Sequence, residues 1–189
     1  MRINLINVKR RRIQAVKATK TIKDPADVLY RIKRGLSGYV SYLAACEMND
    51  AFSEYVLYKP IFRILMARGY TAHCEVECPG LDQASIGDRK RIDFEARKDN
   101  IHFALEVKWA QQRRLNVEND YKKLAAFHAY NSASRSFLCV FGRKTHIAHI
   151  SFQNRSFVER GTAVYADLRR TKYGCRIFEL NVASHSVTS

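Results

Sequence analysis

Arg91-Ile-Asp-Phe-Glu-Ala96 and Ile101-His-Phe-Ala-Leu-Glu-Val-Lys-Trp109 are the two stretches that decide how this chain folds. In the second, residues 101, 103, 105, 107 and 109 are apolar and share one face of a strand, leaving Glu106 and Lys108 side by side on the other. In the first, residues 92, 94 and 96 are the apolar set, so Asp93 also lies opposite the core. A turn at Asp99-Asn100 pairs Lys98 with Ile101, and every opposed pair of residue numbers then sums to 199. Phe94 then meets Leu105, Ala96 meets Phe103 and Ile92 meets Val107, so the apolar faces agree without adjustment. The same register predicts Asp93 directly opposite Glu106. Opposed Cβ atoms lie about 4.5–5.5 Å apart, and like charges held there repel unless something neutralises them.

A divalent cation is the economical neutraliser. Two carboxylates and a main-chain carbonyl, that of Val107, supply oxygen ligands of the kind magnesium takes, with the remaining positions left to water and a phosphate. Such a cation lowers the pKa of a bound water and offsets charge on a phosphate. Lys108, a donor-only cation beside the pair, can orient that water or stabilise developing negative charge. The competing reading is a solvated strand face on which Arg91, Arg97 and Lys108 balance the acids.

Working outward, Asp24-Pro25 opens a helix with Val28, Ile32, Leu36, Tyr39 and Leu43 at three- and four-residue steps, weakened by Gly35 and Gly38. A second helix is expected from about Asn49-Asp50 to Gly69, burying Phe52, Val56, Phe62, Leu65 and Met66, with a kink at Pro60. Thr71 to Cys78 alternates as a half-buried strand with Ala72, Cys74, Val76 and Cys78 inward, and Pro79-Gly80 ends it. Beyond the hairpin, residues 114–130 read as a helix with Val117, Tyr121, Leu124, Ala125 and His128 on one stripe. Ser136 to Phe141 is a continuously apolar strand, His146 to Ile150 a further strand, Thr162 to Arg170 a short helix and Cys175 to Val182 a last strand. The class is therefore α/β with a mixed sheet.

The chain has 189 residues, enough for one domain with an appendage. Lys and Arg number 33 against 18 Asp and Glu, a net charge of +15 at pH 7 that calls for a polyanionic partner, nucleic acid before an anionic membrane surface. Residues 1–23 hold eight basic residues and no acidic one, and the Lys9-Arg10-Arg11-Arg12 run suits an arm that tracks phosphates or, equally, a solvated tail. The expected organisation is a basic arm over 1–23, one domain over 24–182 with its core at about 48–142, and a polar tail over 183–189. No apolar run of membrane-spanning length and no signal-peptide pattern is present, so a cytoplasmic protein without membrane partners is expected. Five scattered cysteines argue against a disulfide framework, and Cys74 and Cys78 lack the second pair that zinc needs.

Asp93, a 13-residue step, then Glu106-Val-Lys108, between a preceding helix and strand and a following helix and strand, resembles the PD-(D/E)XK nuclease superfamily over about residues 48–142. Ile92 stands where the family usually has proline. The resemblance implies a restriction-endonuclease-like fold, a mixed sheet flanked by helices. It also implies a magnesium-dependent endonuclease, with manganese as a substitute. Asp93, Glu106 and Lys108 take the motif roles, and Asp93, Glu106 and the Val107 carbonyl hold the metal. Families of this kind often add an acid from the helix before the sheet. Glu54 is the best match, with Glu47, Glu75 and Glu77 competing, and an acid near a helix start also serves the helix dipole alone. Asn119-Asp-Tyr-Lys-Lys123 looks like the polar helix position that supports such sites. Lys122 and Lys123 there, like Arg10, Arg11 and Arg12, are candidates for phosphate contact.

On this resemblance DNA is expected as the substrate in preference to RNA. One site per chain cuts one strand, so duplex cleavage favours a homodimer. The alternative is a catalytically silent nucleic-acid-binding module on the same fold.

Overall fold

The computed structural model describes residues 24–48, 52–82, 90–152, 156–166 and 171–182. The expected basic arm and polar tail, and with them Arg10, Arg11 and Arg12, lie outside the described residues. Helix α1 (Ala26–Ala45) is followed by a single 3₁₀ turn (Tyr55–Leu57) that runs into α2 (Tyr58–Ala67). Strands β1 (Thr71–Glu77), β2 (Arg91–Lys98) and β3 (Ile101–Ala110) come next, then α3 (Glu118–Tyr130), β4 (Arg135–Arg143) and α4 (Lys144–Ile147). Strands β5 (Phe157–Glu159), β6 (Val164–Ala166) and β7 (Tyr173–Leu180) complete the order. The seven strands form one sheet in the order β1-β2-β3-β4-β7-β5, with β6 also paired to β7. Every pairing is antiparallel except β3 with β4, whose parallel connection is made by α3.

Two apolar layers sandwich the sheet. Phe94, Phe103, Leu105, Phe137 and Ile177 pack with α1 and α2, while Ala104, Leu138, Val140 and Phe178 pack with Leu124 and Phe127 of α3 and Ile147 of α4. β3 and β4 are covered on both faces, which is why Phe137–Phe141 is apolar throughout. Gly35 lets α1 meet α2: a Cβ there would lie 2.6 Å from Ile64 Cδ1. On the same helix Lys33 and Ser37, at a four-residue step, bond to carbonyls of the β5–β6 connection and of β6. Lys33 Nζ donates to the carbonyls of Arg160 and Thr162, both at 2.8 Å, and the Ser37 hydroxyl donates to that of Val164 at 2.8 Å.

Several expectations are corrected. Pro60 is the third residue of α2, where its missing N–H has no intrahelical role, so it initiates the helix rather than kinking it. Packing against the core puts the buried stripe on Leu57, Ile61 and Leu65, and Phe62 and Met66 are exposed. Cys74 is exposed although β1 was expected to turn it inward. Residues 146–150 begin within the short helix α4, not a strand, and Val164–Ala166 is a strand, not a helix. Both segments are too short for periodicity to separate the two states. Among the described residues no helix is long and apolar enough to cross a membrane.

Candidate active site

The hairpin register is the expected one from Lys98↔Ile101 to Phe94↔Leu105, and there the ladder stops. Asp93 does not lie in a ladder pair with Glu106, because β2 leaves β3 at this point. Ile92 joins the α3-side layer, whereas Phe94 and Ala96 belong to the opposite one. The β1–β2 ladder also skips the position where Glu75 would meet Asp93, and Glu75 has φ +53°, a conformation unusual for a residue with a Cβ.

The departure of β2 frees backbone donors on β3, and carboxylates take them. Asp93 Oδ2 accepts the Val107 N–H at 2.6 Å and Glu54 Oε1 accepts the Trp109 N–H at 3.0 Å. In a strand, N–H and C=O of one residue point to the same neighbour, so the Val107 carbonyl faces the side that β2 has vacated, next to Asp93. Asp93 Oδ1 is held by the Tyr58 hydroxyl at 2.5 Å, and that hydroxyl also lies 2.8 Å from Glu75 Oε1. Burial raises the Asp93 pKa, against the lowering effect of the Tyr58 and Val107 hydrogen bonds. The same burial, with Asp93 and Glu75 beside it, keeps the Tyr58 phenol firmly protonated.

Glu106 and Lys108 project to the α3 side. Glu106 is 1% exposed; its Oε2 accepts from Lys123 Nζ at 2.6 Å and its Oε1 is buried with no hydrogen-bond partner among the described residues. Burial and then the charge of Asp93 push the Glu106 carboxyl up to about 9. Burial works against the Lys123 ammonium, but Glu106, Asp93 and Asp120 together hold its pKa above the usual lysine value. Lys123 also donates to the Arg91 carbonyl at 2.9 Å. Lys108 Nζ lies 3.3 Å from Asp120 Oδ2 and 4.0 Å from Glu54 Oε1, and these two acids, outweighing burial, hold its pKa above the usual lysine value. A cleft of about 410 Å³ opens here, lined by Glu54, Lys108, Trp109, Asn119 and Asp120 among others.

The structure thus brings Asp93, Glu106, Lys108 and Glu54 to one place. Lys123 sits inside the cluster against Glu106 instead of facing solvent, while Lys122 pairs with Glu118 at 2.7 Å on the outer face of α3. Two features escaped sequence reasoning, Tyr58 and the pairing of Lys123 with Glu106, while Asp120 falls in the 119–123 segment expected to support the site. Asp120 and Lys123, three apart on α3, were within reach, because a β3–α3–β4 crossover lays that helix over Glu106 and Lys108. Nothing in the sequence marks Tyr58.

Among the described residues no group of three or more His, Cys, Asp or Glu side chains is arranged to hold a metal ion. A cation here would rest on two carboxylates and one carbonyl, completed by water and substrate oxygens, the donor set that magnesium accepts. The orphaned Glu106 Oε1 is the feature that fits it, since a buried polar atom without a partner is costly. Comparison with known proteins finds no family model, no curated protein and no solved structure that matches this chain.

Proposed function

We propose that this chain is a magnesium-dependent nuclease of the PD-(D/E)XK kind on a restriction-endonuclease-like fold, hydrolysing phosphodiester bonds in DNA in preference to RNA. The observation that carries the reading is the unpartnered, buried oxygen of Glu106 beside Asp93 and the Val107 carbonyl. Bound magnesium, or manganese in its place, would activate water and offset phosphate charge. Asp93, Glu106 and the Val107 carbonyl would hold the cation. Lys108, fixed between Asp120 and Glu54, places a positive charge at the cleft where the phosphate acquires negative charge. Lys123 positions Glu106, and Glu54 anchors the β3 backbone while facing Lys108. The net charge of +15 supplies the attraction for a polyanion.

A second reading has its own observation. Lys123 on Glu106 and Lys108 by Asp120 already give two of the acids a cationic partner, which suits a nucleic-acid-binding module that does not cut. Incubating the protein with supercoiled, linear and branched DNA and with RNA, each with magnesium, manganese, calcium or EDTA, separates the two. Cleavage with magnesium or manganese that EDTA abolishes supports the nuclease, with calcium supporting binding better than cutting. Tight binding without cleavage under every condition supports the silent module, and undiminished cleavage in excess EDTA removes the metal.

A further inference from the structure

Beside the Lys108 cleft lies a second and larger one of about 1030 Å³, and the two share Gln112, Arg114, Leu115 and Asn116. Its walls are of two kinds. Leu115, Tyr121, Phe152 and Phe157 form an aromatic and aliphatic floor in which Tyr121 meets Phe157 edge-on at 5.9 Å and Phe152 meets Phe157 at 4.9 Å. Arg113, Arg114 and His149 stand exposed at the rim. The one acid of the lining, Glu118, is committed to Lys122.

An apolar, ring-lined pocket with a cationic rim matches one unit of nucleic acid: a base on the floor and its phosphate at the rim. A paired base inside a duplex cannot reach such a floor, because its faces are covered by its neighbours in the stack. The larger cleft runs into the one that Lys108 faces, so on the nuclease reading this nucleotide would adjoin the phosphate that Lys108 contacts. We infer that the larger cleft holds an unpaired nucleotide adjoining the scissile phosphate, so that the substrates are nucleic acids with single-stranded character at the cut, such as junctions, flaps or bulges. The inference rests on the nuclease reading for what happens to that phosphate, but the binding preference stands on the cleft alone.

The test separates the two. Fluorescence anisotropy with calcium compares a fully paired DNA duplex with the same duplex carrying one unpaired 2-aminopurine, for the wild type, Phe152→Leu and Arg114→Ala. The expected result is binding on the order of tenfold tighter to the unpaired probe with quenching of its fluorescence by stacking. Phe152→Leu should abolish the preference and the quenching, and Arg114→Ala should weaken both duplexes alike. Equal affinity of the wild type for the two duplexes, or a preference that Phe152→Leu leaves intact, overturns the inference. Cleavage of the same duplexes with magnesium is the separate readout. Selective binding without cleavage sinks the nuclease while the cleft's preference holds, and cleavage of both duplexes at one rate overturns the inference while the nuclease stands.

Discussion

Arg176 and Glu106 are both buried ionisable side chains on this sheet, and they are finished to different degrees. Arg176 on β7, 8% exposed, gives Nε and Nη2 to the two oxygens of Glu159 at 2.9 and 2.7 Å, and Nη1 to the carbonyls of Ile147 and Ile150 at 2.6 and 3.0 Å. Its fork of donors is spent on fixed partners, so it ties α4 and the loop after it to the β5–β7 edge. Glu106 on β3 is deeper, has one partner and leaves one oxygen bare. A completed network is how a fold tolerates a buried charge. An incomplete one beside a second carboxylate is how a site waits for a ligand.

The comparison breaks hardest at the completed end. Arg176→Leu strips Glu159 and the two carbonyls of their donor, and the expected cost is about 3–5 kcal/mol of folding stability by urea titration. A loss below about 1 kcal/mol would show that the network is not holding that edge. At the unfinished end the larger effect is on chemistry. Lys108→Met should lower single-turnover cleavage on the order of 100- to 1,000-fold with nucleic-acid affinity nearly unchanged, because the charge acts on the transition state. Equal losses in binding and rate would reduce Lys108 to a phosphate anchor.

Glu106→Gln sharpens the contrast through pH. The folded-state pKa of Glu106 is raised to about 9, so folding is favoured while the group is protonated and loses stability as pH rises from the ordinary carboxylate range towards that value. Glutamine cannot ionise and still offers Lys123 an acceptor. The variant should therefore gain about 1–3 kcal/mol on the wild type between pH 6 and pH 8, read by thermal melts, while cleavage is lost. Magnesium should return much of that stability to the wild type alone and release protons on binding. Parallel pH–stability curves for the two proteins would mean that Glu106 is ionised in the fold and that Lys123 alone satisfies it.

The closed part of the hairpin was legible because its signals are local. Phe94, Ala96, Phe103 and Leu105 fix the register by parity, and Asp99, at φ +53°, turns the chain where the sequence expects it. The open part was not, because nothing local ends the ladder at Phe94. Alternation at Ile92 continues the pattern, yet Ile92 packs against the other layer, and Glu75 reverses its φ where Asp93 needs room. Glu54 was one acid among several by sequence, and it is the backbone donor of Trp109 that places it in the cluster. Tertiary packing also moved the buried stripe of α2 by one residue from Phe62 to Ile61.

The finest cut between a finished and an unfinished site is at Tyr58. Its ring packs on Phe94 with centroids 4.9 Å apart, so Tyr58→Phe keeps the apolar contact and removes only the hydroxyl. That hydroxyl has one proton to give, and it lies 2.5 Å from Asp93 Oδ1 and 2.8 Å from Glu75 Oε1. Its hydrogen bond favours the ionised form of Asp93, partly offsetting the burial that raises the pKa. Without it the Asp93 pKa rises further, so less of the carboxylate is ionised at a given pH. The acid limb of the cleavage pH profile should move to higher pH, with the plateau at high pH nearly preserved. Folding stability near neutral pH should fall by about 1 kcal/mol. A profile that drops uniformly without shifting would mean that Tyr58 supports the packing around Asp93 and not its charge, and would move Tyr58 to the structural side of the comparison with Arg176.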